Sequence, residues 1–179
     1  MSRLSLAPSL VLALTTALAA SACGGAKGTA DSGAAAATTA APTTAAPGPT
    51  AASRPPVLAA YDVVRAALAD DNLAAAKTAA EAFAKAATSE APPLTALGDA
   101  AIALAQSADV AAARVAFGTV SKALLELLQD KAPWREGLIA FRCPMAKGYQ
   151  KWIQFQRPMQ NPYMGKEMLE CGSKAELTP

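Results

Sequence analysis

The sequence contains no histidine, and only 5% of its residues are aromatic and 17% charged. Histidine is the commonest general base and the commonest metal ligand, so its absence disfavours acid–base catalysis and an ordinary zinc site. The 16 basic and 14 acidic residues leave a net charge of +2, without the clustered basic surface that nucleic-acid binding needs. We therefore predict a protein that is not an enzyme and does not bind nucleic acid.

Residues 1–22 are typical of a secretory signal peptide. Arg3 provides a positive charge, and the apolar stretch from Leu4 to Ala20 ends in small residues. A transmembrane anchor is the alternative, which the shortness of this stretch and the lack of a charged flank after it disfavour. We expect the protein to be exported to the cell envelope.

The residues Ala20-Ser21-Ala22-Cys23 resemble a bacterial lipobox, although alanine stands where leucine is usual. In a lipobox the cysteine is lipidated and becomes the mature N-terminus. The same residues would also serve as an ordinary Ala-x-Ala cleavage site, which would make the protein simply secreted. We favour lipidation, because a lone cysteine at the cleavage point is otherwise hard to explain. The resemblance implies an outer-membrane lipoprotein that faces the periplasm and is attached by its N-terminal lipid.

The segment 23–56 continues with small residues, mainly alanine, threonine, glycine, proline and serine. Such a segment buries too little apolar surface to offset the entropy lost on ordering, so we predict a disordered linker. It would tether the domain that follows to the membrane. An O-glycosylated stalk is the alternative that this composition also permits.

From residue 57 to residue 132, apolar residues recur at helical spacing. Short connections separate the four periodic segments, so we predict a mainly α fold with an antiparallel four-helix bundle. The predicted core faces are Val57, Tyr61, Val64 and Leu68; Leu73, Ala76, Ala80, Phe83 and Ala87; Leu94, Leu97, Ala101 and Leu104; and Val110, Ala113, Phe117, Val120, Leu124 and Leu127 or Leu128.

Several residues at the ends and in the interior of these helices have predicted roles. Asp70 or Asp71 is expected to cap the second helix, and Asp109 the fourth. Pro93 suits the first turn of the third helix. Gly118, inside the fourth helix, is expected to allow close contact with another helix, since glycine otherwise costs about 1 kcal/mol there.

Residues 133–179 differ in composition and hold six of the nine aromatic residues. Leu138 to Arg142 and Lys151 to Gln156 have the pattern of two short strands. A helical turn is expected over Glu167 to Glu170, ending at Gly172. We predict a small β-hairpin and loop module packed against the helices.

This C-terminal module also contains two of the three cysteines and four of the five methionines. Thiolate and thioether ligands select soft ions such as Cu(I), and by extension Ag(I). Two cysteines without histidine are too few for a tetrahedral zinc site. The first-rank candidate ligands are Cys143, Met145, Met168 and Cys171, and the second-rank candidates are Met159 and Met164.

A disulfide between Cys143 and Cys171 is the alternative use of the two cysteines. If Cys23 is lipidated, an even number remains in an oxidising compartment, which favours a disulfide. Closing this loop would stabilise the fold by roughly 3.5 kcal/mol. The residues alone leave both interpretations open.

Several separated motifs of the module resemble the end of a bacterial family of unknown function. Its members occur as small secreted proteins or fused to periplasmic adaptors of the CusB type in copper and silver efflux systems. Two departures are a short segment before the tryptophan and Met164 in place of an aromatic residue. The matching positions are Cys143-Pro144-Met145-Ala146, Gly148, Trp152, Asn161-Pro162-Tyr163, Gly165, Met168-Leu169 and Cys171-Gly172.

The resemblance implies a periplasmic lipoprotein that binds a soft heavy-metal ion and is accessory to metal homeostasis or efflux. A metal-efflux adaptor is the partner that it implies. The alternative is an interaction module without metal, in which bridged cysteines support an exposed aromatic surface that docks such an adaptor.

Overall fold

The structure, a computed structural model, describes residues 54–179. The predicted signal peptide, the lipidation of Cys23 and nearly all of the predicted linker lie outside the described residues. None of the helices in the described range is both long and apolar enough to span a membrane.

The described chain is mainly helical and ends in a small antiparallel sheet, as the sequence predicts in outline. The strand order is β2-β1-β3, so β1 is central. The hairpin β1–β2 is confirmed, whereas β3 was not predicted. The elements are α1 (Pro56–Ala69), α2 (Leu73–Thr88), α3 (Thr95–Ala105), α4 (Val110–Asp130), β1 (Ile139–Arg142), β2 (Lys151–Gln154) and β3 (Ser173–Ala175), with 3-10 turns at Ala132–Arg135 and Gly165–Met168.

The start of α2 is capped by Asn72, so the prediction of Asp70 or Asp71 is wrong. The Asn72 side chain accepts a hydrogen bond from the Ala75 N–H at 3.0 Å. Asp71 instead adopts a positive φ of 58°, which turns the chain between α1 and α2. Asparagine and aspartate cap equally well, so local preference alone did not distinguish these positions.

The predicted cap of α4 is confirmed, and the predicted start of α3 is wrong. The Asp109 carboxylate accepts a hydrogen bond from the Ala112 N–H at 2.8 Å. Helix α3 begins at Thr95, which leaves Pro93 in the connection before its first turn.

The predicted apolar faces form the helical core. Almost all of their residues are buried, and the exceptions, such as Leu94 and Val110, lie at helix starts and are half-buried. Tyr61 is central to this core: its ring stacks on that of Phe117 with centroids 5.2 Å apart. Its hydroxyl lies 2.7 Å from the Ser121 hydroxyl. Helices α1 and α4 are therefore joined by ring contact and by a buried hydrogen bond.

The sheet packs on the helices along α4. Phe141 and Trp152 are opposite each other on β1 and β2, and their rings stack at 5.5 Å. The Ile153 N–H of β2 donates to the Tyr61 hydroxyl at 3.4 Å. Gly118 faces the backbone of Tyr149, where an added Cβ would lie 3.2 Å from the carbonyl oxygen. Gly118 thus allows close approach of the β1–β2 loop, and the predicted helix–helix contact at this glycine is wrong.

Candidate functional site

The pairing of β1 with β3 brings the two cysteines together. Arg142 of β1 is paired with Ser173 of β3 at one end of the ladder. Cys143 directly follows Arg142, and Cys171 lies two residues before Ser173, so both cysteines lie at this end. Their Sγ atoms are 3.7 Å apart.

Both cysteines are free thiols, and they differ in exposure. Cys143 is fully buried, whereas Cys171 is half-buried. The hydrogen bond with Cys143, followed by desolvation, raises the pKa of Cys171 above its ordinary value of 9.0. The Cys171 thiol is therefore protonated at neutral pH, and a metal ion that bound it as a thiolate would release its proton.

The sulfur separation fits a shared metal ion geometrically. A first-row metal–thiolate bond is about 2.3 Å long, so two sulfurs 3.7 Å apart subtend roughly 107° at a common ion. That angle is near tetrahedral and leaves space for a further ligand. A disulfide would require the sulfurs to approach to about 2.05 Å. The reduced pair of cysteines is consequently close enough either to share a metal ion or to form a disulfide after a small movement.

Asn161 holds the segment that carries Cys171. Its side chain is fully buried, and its Nδ2 donates to the Cys171 carbonyl oxygen at 2.6 Å. Its Oδ1 accepts from the N–H groups of Tyr163 at 2.8 Å and Met164 at 3.2 Å. The sequence analysis quoted Asn161 only as part of a motif and assigned it no role. Asparagine before proline was the available signal, since its side chain often bonds the backbone of a turn.

A second set of contacts clamps the same loop to the helices. The Asp71 carboxylate accepts from the Lys166 N–H at 3.0 Å and forms an ion pair with Arg114. Arg114 Nε also donates to the Pro162 carbonyl oxygen at 3.1 Å. Gly165 lies against this ion pair with a positive φ of 65°. The sequence analysis missed this clamp, because no local pattern links residues so far apart in the chain.

Replacing Asp71 with asparagine should make the protein less sensitive to acid. The Lys166 N–H and then Arg114 hold the pKa of Asp71 below its ordinary value of 3.8. A carboxyl group whose pKa is lower in the folded state stabilises the fold above the unfolded value, and this contribution is lost as pH falls through the folded value. The variant should be less stable at pH 7, and its difference from the parent should shrink as pH falls below 3.8 and disappear once pH is below the folded value. Urea unfolding across pH would measure this.

The control for this change is Asp70→Asn, which removes the same charge from an exposed residue that forms no ion pair in the range 54–179. The Asp71 carboxylate is 41% exposed, so solvent screening keeps its effect modest. Equal pH profiles for the two variants would contradict the role assigned to Asp71.

Two of the predicted methionine ligands line a separate cavity. Met145, which is 58% exposed, and Met164 lie at a cavity of about 220 Å³ between α4 and the loop after β1. Lys147 and Arg114 line the same cavity. The Lys147 ammonium opposes binding of a cation there, whereas the Arg114 charge is paired with Asp71.

The other two methionines lie near Cys171 in different ways. Met168 accepts a hydrogen bond from the Cys171 N–H through its backbone oxygen, at 3.0 Å, and its side chain is half-buried. The Met159 Sδ lies 3.3 Å from the position that a Cβ on Gly172 would occupy. Gly172 is the residue after Cys171, so the Met159 thioether lies close to the chain segment that carries this thiol.

No cluster of three or more histidine, cysteine, aspartate or glutamate side chains suited to a metal ion occurs within residues 54–179. A site built from two cysteines and a methionine is of a different kind, because thioether sulfur supplies a ligand. Ligation by these residues remains a prediction.

The aromatic residues of the module do not form an exposed surface. Phe141, Trp152 and Tyr163 are buried and contact one another or Phe117 of α4. Trp134, Tyr149 and Phe155 are half-buried. Phe141, Trp152 and Tyr163 therefore do not contribute to an exposed docking surface, because they form the core that joins the sheet to the helices. Docking through the three half-buried rings stays a prediction.

Comparisons of the chain with protein-family models, with curated proteins and with solved structures find no match. The family resemblance of the C-terminal motifs stays a prediction.

Proposed function

We propose that the protein binds a single soft ion, Cu(I) or Ag(I), between Cys143 and Cys171. The observation that carries the proposal is the 3.7 Å separation of the two Sγ atoms. Two thiolates at this distance hold one ion without movement of the backbone. Thiolate ligands favour soft ions over Mg²⁺ or Ca²⁺, which prefer oxygen.

The surroundings of the pair suit retention of such an ion. Cys143 is fully buried, so bulk water and chelators reach the ion only from the side of Cys171. Asn161 fixes the carbonyl of Cys171, which limits movement of the more accessible ligand. Preorganised ligands of this kind bind a metal more tightly than ligands on a free loop.

The proposed cellular role depends on the N-terminal expectations. A lipid on Cys23 would attach the protein to the outer membrane, and the linker would let the metal-binding domain reach partners in the periplasm. The protein would then be accessory to metal homeostasis or efflux and deliver its ion to a metal-efflux adaptor.

We include in this proposal that the four helices form an antiparallel bundle. Consecutive helices pack on each other, α1 on α2, α2 on α3 and α3 on α4. Their connections are short: residues 70–72, 89–94 and 106–109. Short connections of this length favour antiparallel neighbours. The bundle would then serve as the support for the sulfur-containing module.

Titration with Cu(I) under anaerobic, reducing conditions tests the proposed function. The full chain would carry Cys23→Ala, so that only Cys143 and Cys171 remain. This chain should bind one Cu(I) in competition with a colorimetric chelator. Cys171→Ser, at a half-buried position that tolerates the change, should lower the affinity at least tenfold, and Cys143→Ser should abolish uptake. Circular dichroism would show that each variant is folded. Unchanged uptake in folded Cys143→Ser would refute metal binding by this pair.

The disulfide-stapled interaction module is the second candidate, and the same proximity of the sulfurs favours it. In this case the isolated protein would have a mass lower by two protons, and without reductant it would resist alkylation at both cysteines. Cu(I) in mild reductant would leave that mass unchanged. Free thiols that bind Cu(I) would exclude this candidate.

A further inference from the structure

The face of the sheet next to the cysteines carries a third sulfur. The Met159 Sδ lies 3.3 Å from the Cβ position at Gly172, and the Trp152 ring lies 3.1 Å from the same position. Trp152 is paired with Phe141 on β1. The Met159 sulfur therefore lies on the face of the sheet that bears these aromatic rings.

Cys143 belongs to that same face. Side chains two residues apart on a strand point to the same side, so the Cys143 side chain points to the same face as that of Phe141. Gly172 lies just outside β3 with a φ of 143°, and its Cβ position is 2.8 Å from the carbonyl oxygen of Arg142, the residue before Cys143. The Met159 sulfur thus lies beside backbone that adjoins both cysteines, and the torsions of its unbranched side chain would let it turn toward them.

Of the remaining methionines, two are less well placed for the same ion. Met145 and Met164 line the cavity that also contains Lys147 and Arg114. The contact that links Met168 to Cys171 is made by its backbone oxygen.

We infer that the Met159 thioether is the third ligand of a soft ion held by Cys143 and Cys171. This inference rests on the proposed function. The two thiols lose their protons on binding, and Met159 donates a lone pair, which gives a three-sulfur site of the type that Cu(I) accepts. A thioether adds no charge, so the complex with Cu(I) carries one negative charge.

The test compares Met159→Leu with Met145→Leu in the Cys23→Ala chain. Leucine conserves volume and removes only the sulfur, so both variants should fold. X-ray absorption of the Cu(I)-loaded proteins should count three sulfur ligands in the parent and in Met145→Leu, and two in Met159→Leu. The Cu(I) affinity should fall about 10- to 100-fold in Met159→Leu alone.

The outcomes distinguish a failure of the inference about Met159 from a failure of the proposed function. If Cys143→Ser abolishes uptake while Met159→Leu retains three sulfur ligands and full affinity, Met159 is not a ligand and the proposed function stands. If Met145→Leu loses a sulfur in its place, the third ligand is Met145 and this inference is overturned. If Cys143→Ser retains uptake, the proposed function fails and the inference fails with it.

Discussion

Replacing Gly165 with alanine is expected to destabilise the protein by about 2–3 kcal/mol, mostly through the backbone conformation. Gly165 has a φ of 65°, a conformation that costs a non-glycine residue roughly 1–2 kcal/mol. An added Cβ would also overlap the Asp71 carboxylate and the Arg114 guanidinium. The ion pair would have to separate, and the Lys166 N–H would lose its acceptor.

Gly148→Ala is a matched control for this prediction. Gly148 has a similar φ of 78°, but no atom lies within 4 Å of its Cβ position. Its replacement should therefore cost only the backbone conformation, about 1–2 kcal/mol. Urea unfolding would give both free energies, and the difference between them measures the overlap with the clamp. Equal losses for the two variants would show that Gly165 is needed for its backbone conformation alone.

Asn161→Ala is expected to cost about 3–5 kcal/mol and to loosen the cysteine pair. The change removes three hydrogen bonds made by a buried side chain and leaves the Cys171 carbonyl and the Tyr163 N–H without their partner. Each buried polar group without a partner costs about 1–3 kcal/mol. Because the Cys171 carbonyl loses its anchor, Cys143 should be alkylated faster in the variant than in the parent.

Gln150→Ala provides the comparison for Asn161. Gln150 also uses its side-chain amide to bind backbone oxygens, those of Pro144 and Ala146, at 2.9 and 3.4 Å. Its bonds are accessible to water, which can replace them, so the expected loss is about 1 kcal/mol or less. Denaturant midpoints and the alkylation rate of Cys143 would be measured in both variants. If Asn161→Ala behaves like Gln150→Ala in both measurements, the role assigned to Asn161 is wrong.

The helices could be predicted because their signals are local. Apolar residues such as Tyr61, Phe83 and Phe117 recur at helical spacing, and burial on one face is what stabilises such helices. The Asp109 cap depends on residues within one turn. The alternation in β2 and the apolar character of β1 likewise indicated a hairpin before any contact was known.

Errors arose where several residues satisfied the same local rule. Asn72 and Asp71 are both residue types that cap helices well. In the structure the Asp71 carboxylate binds Arg114 and the Lys166 N–H, and Asn72 caps α2. Gly118 indicated that another part of the chain approaches α4 closely, but a glycine does not show which part. The structure shows that it is the backbone of Tyr149. Strand β3 is only three residues long and mostly exposed, so it has no apolar alternation to reveal it.

The sequence by itself determined that soft sulfur is concentrated in a histidine-free C-terminal module, and so which ions could be considered. Only the tertiary structure decided that Cys143 and Cys171 lie 3.7 Å apart and that the Met159 sulfur lies beside Gly172, the residue after Cys171. These proximities depend on β1–β3 pairing and on the buried amide of Asn161. Such pairing joins residues distant along the chain through backbone hydrogen bonds, which every residue type except proline can both donate and accept. The spacing of side chains in the sequence therefore does not predict which segments pair.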